Sequence, residues 1–216
     1  MLLIFDCDGV LVDSEVVVAP VVAGLFTAHG ATLSGDEVLD RYTGLANPEM
    51  IRQVEREFAV RLPEGFLAEL EAAELEALER DLRAVPGMAA LLGGLGDVPV
   101  CVASSSAPER IRRSLEVTEL AGHFGDHVFS ASEVARPKPA PDLFLHAAAR
   151  MGWSPGECMV VEDSVFGVAA GAAAGMRVIG FTGATHGDDS ADVMLLGAGA
   201  EAVARDAAEL AELLGG

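Results

Sequence analysis

The sequence predicts an α/β protein built on a doubly wound parallel sheet, with an all-helical module inserted after the first strand. Three observations carry that expectation. Apolar runs of strand length recur at Leu2 to Phe5, Val98 to Ala103, Cys158 to Val161 and Arg177 to Phe181, with helical patterns between the last three. The first three runs each end in a cluster of polar residues, as happens at the carboxyl edge of an open parallel sheet. The interval from Ser14 to about Arg83 holds no convincing strand.

In chain order, Leu2-Leu3-Ile4-Phe5 is the first strand. Helical periodicity then covers Val16 to His29, Gly35 to Tyr42, Pro48 to Ala59 and Glu64 to Leu82. The last of these sets Leu67, Leu70, Leu75, Leu78 and Leu82 against Glu69, Glu71, Glu74, Glu76 and Glu79, an apolar stripe with a solvated acidic face. Pro86-Gly87 opens the next helix, and Pro108 opens another at a first-turn position after Ser106. Pro141 opens a helix from about Asp142 to Met151, which Gly152 stops. Val165 to Gly175 is an Ala/Gly helix suited to close packing on the sheet, and Gly197 to Ala200 reads as a loop before a final short strand and helix. The expected division is a doubly wound α/β core at 1–13 and 84–216 with a helical insertion at 14–83.

A chain of 216 residues, 51% hydrophobic and only 5% aromatic, can bury an aliphatic core. Its 34 acidic and 14 basic side chains give a formal charge of -20, which repels nucleic acid and anionic lipid, so neither is an expected partner. The same field repels a phosphate ester, so such a substrate needs local positive charge from a metal, a lysine or helix N-termini. Cys7, Cys101 and Cys158 are too scattered for a disulfide framework and read as buried free thiols. Met1 leads straight into a strand without a basic leader, and no apolar stretch is long enough to span a bilayer. A cytoplasmic protein, monomer or homodimer, is expected.

The polar strand ends carry the chemistry. The first strand ends in Asp6-Cys7-Asp8-Gly9, the second in Ser104-Ser105-Ser106 and the third in Glu162-Asp163-Ser164. Any one acidic residue there can be a turn or helix cap. Four carboxylates at one edge repel one another unless a cation lies between them. Mg²⁺ is the usual hard cation beside phosphate, with Asp6 and Asp163 as direct ligands and Asp8 and Glu162 in the same metal-binding set. Residues two apart in extended chain share a side, so Asp6 and Asp8 can divide the work, one attacking and one moving a proton. Gly9 allows the sharp turn that follows. Lys138 sits in Arg136-Pro137-Lys138-Pro139-Ala140-Pro141, where three prolines hold it ready to pair with carboxylates and a phosphate oxygen.

These residues resemble the haloacid dehalogenase superfamily of phosphotransferases over essentially the whole chain. The run from Asp6 to Glu15 looks like its first motif, Ser104 its second, Lys138 its third and Glu162-Asp163-Ser164-Val165-x-Gly167 its fourth. The helical insertion resembles the small α-helical cap of the β-phosphoglucomutase-like and phosphoglycolate-phosphatase-like group. The resemblance implies that Asp6 is the nucleophile, forming an aspartyl-phosphate, and that Asp8 is the general acid and base. It also implies that Ser104, Ser105 and Lys138 receive the phosphate of a small ester. True dehalogenases are similar in their nucleophile but lack the second aspartate, so phosphate esters are expected. The motif-one surroundings look most like sugar-phosphate phosphatases of the 6-phosphogluconate phosphatase type.

Two other readings compete with hydrolysis. A phosphosugar mutase of this group carries a cap histidine and a cap arginine, and the matching positions here fall near Val18 and, in Gly44-Leu45-Ala46-Asn47, on or near Asn47. Both departures favour hydrolysis. A catalytically silent binding module is disfavoured because all four motif positions are present. His29, His123, His127, His146 and His186 form no metal-spaced cluster. Ser104-Ser105-Ser106 contains no nucleophile elbow. Cys7 reads as turned into the core, with oxidation as its alternative; Trp153 and Phe166 read as packing residues; and Asp13 and Glu15 fall where a hinge is expected.

Overall fold

Leu2, Leu3, Ile4 and Phe5 are all buried, as a central parallel strand covered on both faces requires. A computed structural model describes residues 1–42, 45, 47–184 and 190–215. Its elements run β1 (Leu2–Phe5), α1 (Glu15–Ala28), α2 (Gly35–Tyr42), α3 (Asn47–Phe58), α4 (Phe66–Asp81), α5 (Met88–Gly94), β2 (Val100–Ser104), α6 (Pro108–Val117) and α7 (Ala121–Phe124). They continue with β3 (Val128–Ser130), α8 (Asp142–Met151), β4 (Cys158–Glu162), α9 (Val165–Ala173), β5 (Arg177–Phe181), α10 (Ser190–Ala198), β6 (Ala202–Ala204) and α11 (Ala207–Gly215). The chain divides into two compact units, Met1–Asp13 with Arg83–Gly216, and Ser14–Leu82.

The first unit holds a six-stranded sheet in the order β3-β2-β1-β4-β5-β6, every neighbouring pair parallel. This is a doubly wound order, and its switch point falls between β1 and β4. Phe5 is in register with Val102 of β2 and Val161 of β4, so the polar ends of three strands lie at one level. One core cluster joins Leu2, Ile4, Cys101, Val160 and Val178 from the strands to Phe144, Ala147, Val168 and Ala170 from the helices. Trp153 packs against it; Phe166, expected to pack, is 60% exposed at the start of α9. The chain leaves and re-enters this unit side by side, with Asp13 N–H donating to Arg83 O at 3.1 Å and Val85 N–H to Leu11 O at 3.0 Å.

Where the elements differ from the sequence reading, the cause is local. β2 starts at Val100 rather than Val98, because Pro99 has no N–H to give a ladder. β3 has three residues, too few to show a period. α10 runs on through Gly197 to Ala198, and the turn begins only at Gly199, whose φ is +117°. Pro108 does open α6, and Gly152, at φ +77°, ends α8.

The second unit is helical throughout its described elements, α1 to α4, around Val22, Phe26, Val54, Phe66 and Leu70. Phe26 and Phe66 stack with centroids 5.1 Å apart, and Val18 packs against the same core. Glu57 accepts from both Arg41 and Tyr42. Glu74 departs from the expected acidic face of α4. It is only 4% exposed and accepts from Asn47 Nδ2 at 3.0 Å, so one carboxylate of that row turns inward to a hydrogen-bond partner. Gly44, Ala46 and His186 lie outside the described residues.

α9 approaches the sheet so closely that a Cβ on Gly171 would stand 2.7 Å from Val178 Cγ2 and 3.5 Å from Val160 Cβ. Gly171→Leu forces a larger group into this contact and is expected to destabilise the protein by about 1–3 kcal/mol, the usual range for overpacking. Urea denaturation checks this; an unchanged midpoint would show that α9 can lift off the sheet without cost.

Candidate active site

Asp6 N–H donates to Val161 O at 3.0 Å, extending the β1–β4 pairing by one residue and setting Asp6 level with Glu162. Lys138 reaches in from the proline-rich segment and joins them. Its Nζ lies 2.7 Å from Asp6 Oδ1, 2.6 Å from Glu162 Oε1 and 3.1 Å from the carbonyl of Ala103 on β2. The side chain is 5% exposed, and its ammonium sits 4.9 Å from the Phe144 ring centroid. An ammonium has three protons, and three protein oxygens accept from this one. Lys138 therefore fixes both carboxylates, and a bond to a phosphate oxygen would have to replace one of these contacts.

Glu162 is held on both oxygens. Oε2 accepts from Ser164 N–H at 3.1 Å and from Ser164 Oγ at 2.9 Å, while that hydroxyl accepts from Gly167 N–H and caps α9. Gly167 is needed because a Cβ there would fall 1.8 Å from Glu162 Oε1. Gly9 has the same relation to Asp163: its φ is +76°, and a Cβ would lie 1.9 Å from Asp163 Oδ2. The two glycines let loop and helix backbone close on the acidic groups. Asp6, Glu162 and Asp163 each offer a carboxylate oxygen, all within 4.8 Å of one another, and this is the metal-capable group found among the described residues.

Asp8, expected in that set, stands apart from it. Its Oδ2 accepts from Ser106 Oγ at 2.7 Å, and its Oδ1 lies 3.5 Å from Arg110 Nη2 on α6. The β1-end pair thus splits. Asp6 turns toward Lys138 and β4, Asp8 toward the turn after β2. Ser104 is buried, with its hydroxyl accepting from Ser106 N–H at 3.1 Å; Ser105 is exposed. Buried Ser130 at the end of β3 donates to Ser106 O at 2.7 Å and braces the same turn. The sequence reading missed Ser106, Arg110 and Ser130 as site residues. Ser106 was within its serine run, but nothing in the spacing shows that a hydroxyl two residues past Ser104 meets Asp8.

Burial pushes the Asp6 carboxyl up to about 7; Lys138 opposes this, while the Glu162 and Asp8 charges add to it. Burial pulls Lys138 down, but the Asp6 and Glu162 carboxylates outweigh it and leave the ammonium above the ordinary lysine value. Both directions have one meaning: the Asp6 and Glu162 carboxylates share the Lys138 ammonium at close range with Asp163 beside them, so negative charge is crowded here. An all-oxygen group with that crowding suits a hard divalent cation. Cys7 is buried, and burial with the neighbouring carboxylates pushes its thiol well up, which suppresses the thiolate that oxidation requires. Among the other candidates, His29 bonds the Leu25 carbonyl, and His146 sits beside Glu133 and edge-on to Phe129.

Residues 1–175 match the hydrolase family described as haloacid dehalogenase-like. The chain belongs to the haloacid dehalogenase-like hydrolase family. Among its relatives is the 6-phosphogluconate phosphatase of Escherichia coli (strain K12), 36% identical over 183 residues that cover 84% of this chain and 82% of the relative. A haloacid dehalogenase-like protein of unknown function from Agrobacterium tumefaciens superposes with a TM-score of 0.88 at 41% identity, covering 99% of this chain and 97% of the other. A family hydrolase from Deinococcus radiodurans, solved with bound phosphate and sodium, gives 0.84 at 33% identity over 98% and 93% of the two chains. The Rossmann-like fold is thus that of the family. Among the described residues no helix is long and apolar enough to cross a membrane.

Two outcomes are expected from this geometry. Gly167→Ala must displace the Glu162 carboxylate, so Mg²⁺ affinity measured by calorimetry should fall on the order of 10-fold, the lower end for a disturbed metal shell; unchanged affinity would place Glu162 outside the metal's surroundings. The second concerns pH. A folded-state carboxyl raised to about 7 contributes stability that is present at low pH and lost as pH rises through that value. A Mg²⁺ ion held by these carboxylates would compete with the proton, so it should raise Tm more at about pH 8 than at about pH 5. An equal shift at both would separate the metal from Asp6.

Proposed function

We propose that the protein is a Mg²⁺-dependent phosphatase of small phosphate monoesters, acting through an aspartyl-phosphate on Asp6, with the helical unit Ser14–Leu82 serving as its cap. One observation carries the reading: a carboxylate at the end of a buried central strand, fixed by Lys138 through Oδ1, beside two further carboxylates positioned to share a cation. The family match and the 6-phosphogluconate phosphatase relative support phosphate esters as the substrate class.

Asp6, Glu162 and Asp163 would hold the Mg²⁺, which would supply positive charge for the phosphoryl group and favour the ionised Asp6 carboxyl. Lys138 keeps Asp6 from rotating away, so its carboxylate is presented at one angle. An Asp6 oxygen attacks phosphorus, and the bond from phosphorus to the ester oxygen breaks. Asp8, protonated at that stage, gives its proton to the departing alkoxide. Water then attacks the phosphorus of the acyl phosphate while Asp8 takes its proton, the Asp6–phosphorus bond breaks, and inorganic phosphate leaves. Ser106 fixes Asp8 for both transfers, and the Ser104 turn is the place for the phosphate's remaining oxygens.

Asp6→Asn removes the nucleophile with little change in shape. Phosphate release with Mg²⁺ should fall by at least about 10³-fold, as with other lost nucleophiles. Wild-type protein given an ester and quenched with acid should carry phosphate that hydroxylamine removes, and the Asn variant should not. Full activity in the variant would rule out Asp6 as the attacking group.

A further inference from the structure

We propose that the helical unit carries an anion site of its own: Arg52, Arg56 and Arg61 surround a pocket that takes a phosphate dianion, free or at the end of a small organic molecule. The site lies wholly within Ser14–Leu82 and goes beyond the phosphatase reading.

One helix and the segment after it build the pocket. α3 buries Met50 and Val54, and Arg52 and Arg56, each two residues further on, stand one turn apart on its exposed side. Past the end of α3, Ala59 takes a left-handed turn at φ +53°, a conformation uncommon outside glycine. The chain is then held down again. Val60 packs against the helical core, Leu62 enters it, and Leu62 N–H donates to Glu55 Oε1 at 2.9 Å. Arg61, between these two inward residues, is exposed and joins the arginines of the helix. With Glu55 and Val60, the three arginines line a pocket of about 300 Å³, a size at the lower end of small-molecule sites.

Charge shows what this placement is suited to. Residues 14–82 hold 14 aspartates and glutamates against five arginines and no lysine, so carboxylate partners are plentiful. Arg41 and Arg80 use them, pairing with Glu57 and Asp81. The other three arginines all line the pocket, and among the described residues none of them has a carboxylate partner. The acidic groups beside them in sequence are engaged elsewhere: Glu55 Oε1 on Leu62 N–H, and Glu57 on Arg41, Tyr42 and Gln53. Like charges one turn apart on a helix repel, and a third brought alongside adds to the excess. Three guanidinium charges against the one lining carboxylate leave two positive charges, which one phosphate dianion balances. Guanidinium is also the group whose planar donors match phosphate oxygens. A competing account makes these arginines a solvated complement to the C-terminal end of α3. It covers Arg56 in the last turn, but neither Arg61, which lies past the helix, nor the pocket that all three share.

Calorimetric titration of the full chain tests the site. EDTA keeps Mg²⁺ from bridging phosphate to the Asp6 cluster, and about 0.1 M sodium chloride screens diffuse attraction. Inorganic phosphate and glycerol 2-phosphate are the two probes, and the tighter one tells whether the free or the organic phosphate is preferred. Wild type should bind saturably, and Asp6→Asn should bind with the same affinity. Arg56→Gln and Arg61→Gln should each weaken binding by about 10-fold or more, the scale of one charge-assisted contact, and Arg56→Lys should retain part of it. Circular dichroism confirms the fold of each variant. Binding that is lost in Asp6→Asn and unchanged in the arginine variants would place the phosphate in the other unit and overturn the proposal. Wild type that binds neither probe saturably overturns it as well, and either result leaves the phosphatase reading untouched.

Discussion

The site depends on one buried ammonium tying together two carboxylates that end neighbouring strands. Lys138 spans Asp6 and Glu162, and it does so across the β1–β4 boundary where the sheet reverses its winding. A strand order that did not pair β1 with β4 would separate these two residues. Burying such a cluster is costly unless every charge has a partner, and losing the lysine would leave two carboxylates facing each other in a poorly solvated place. The third proton of Lys138, on the Ala103 carbonyl, anchors the ammonium to β2 as well. Three strands are thereby held at one level at their ends.

Tight backbone approach gives the acidic group its shape. Gly9 and Gly167 leave no room for a side chain, and each abuts a different carboxylate. Ser164 both caps α9 and grips Glu162, so the start of that helix and the orientation of a site residue are set by the same hydroxyl. The arrangement is stiff but electrically incomplete. Burial and mutual repulsion raise Asp6 well above an ordinary carboxyl, and a divalent cation relieves both effects at once.

Much of this was legible in the sequence, for physical reasons that also mark where legibility ended. Strands buried on both faces read as apolar runs, so β1, β4 and β5 were visible, as were the polar ends of β1, β2 and β4. Prolines and glycines marked the ends of α6 and α8. The end of helix α10 was hidden because Gly197-Ala198 runs straight into the Gly199-Ala200 turn, and β3 by its length. Residues far apart in sequence that meet only through topology left no signal: Ser130 bracing the Ser106 turn, and Arg110 reaching Asp8. Glu74 shows the limit of periodicity, since a heptad-like acidic row gives no sign that one member turns inward to Asn47. Phe166 shows the reverse, an aromatic side chain left largely in solvent.

Two aspartates separated by a single residue end up in opposite surroundings, and that difference supports the different roles proposed for them. Asp6 is buried, fixed by a lysine and gathered with two other carboxylates, a setting in which a cation can keep it ionised for attack. Asp8 keeps a quarter of its side chain in solvent, accepts from a serine hydroxyl and faces Arg110, apart from the Lys138 cluster. Pairs of carboxyl groups set apart by environment are how one fold runs nucleophilic and acid–base steps at the same pH. Here the separation is built by the turn after β2. Ser104 accepts from the backbone of Ser106, Ser130 holds the carbonyl of Ser106, and Ser106 then presents its hydroxyl to Asp8. The segment proposed to receive the phosphate is thus the same segment that aims the proposed proton donor, so both positions would be set by a single turn.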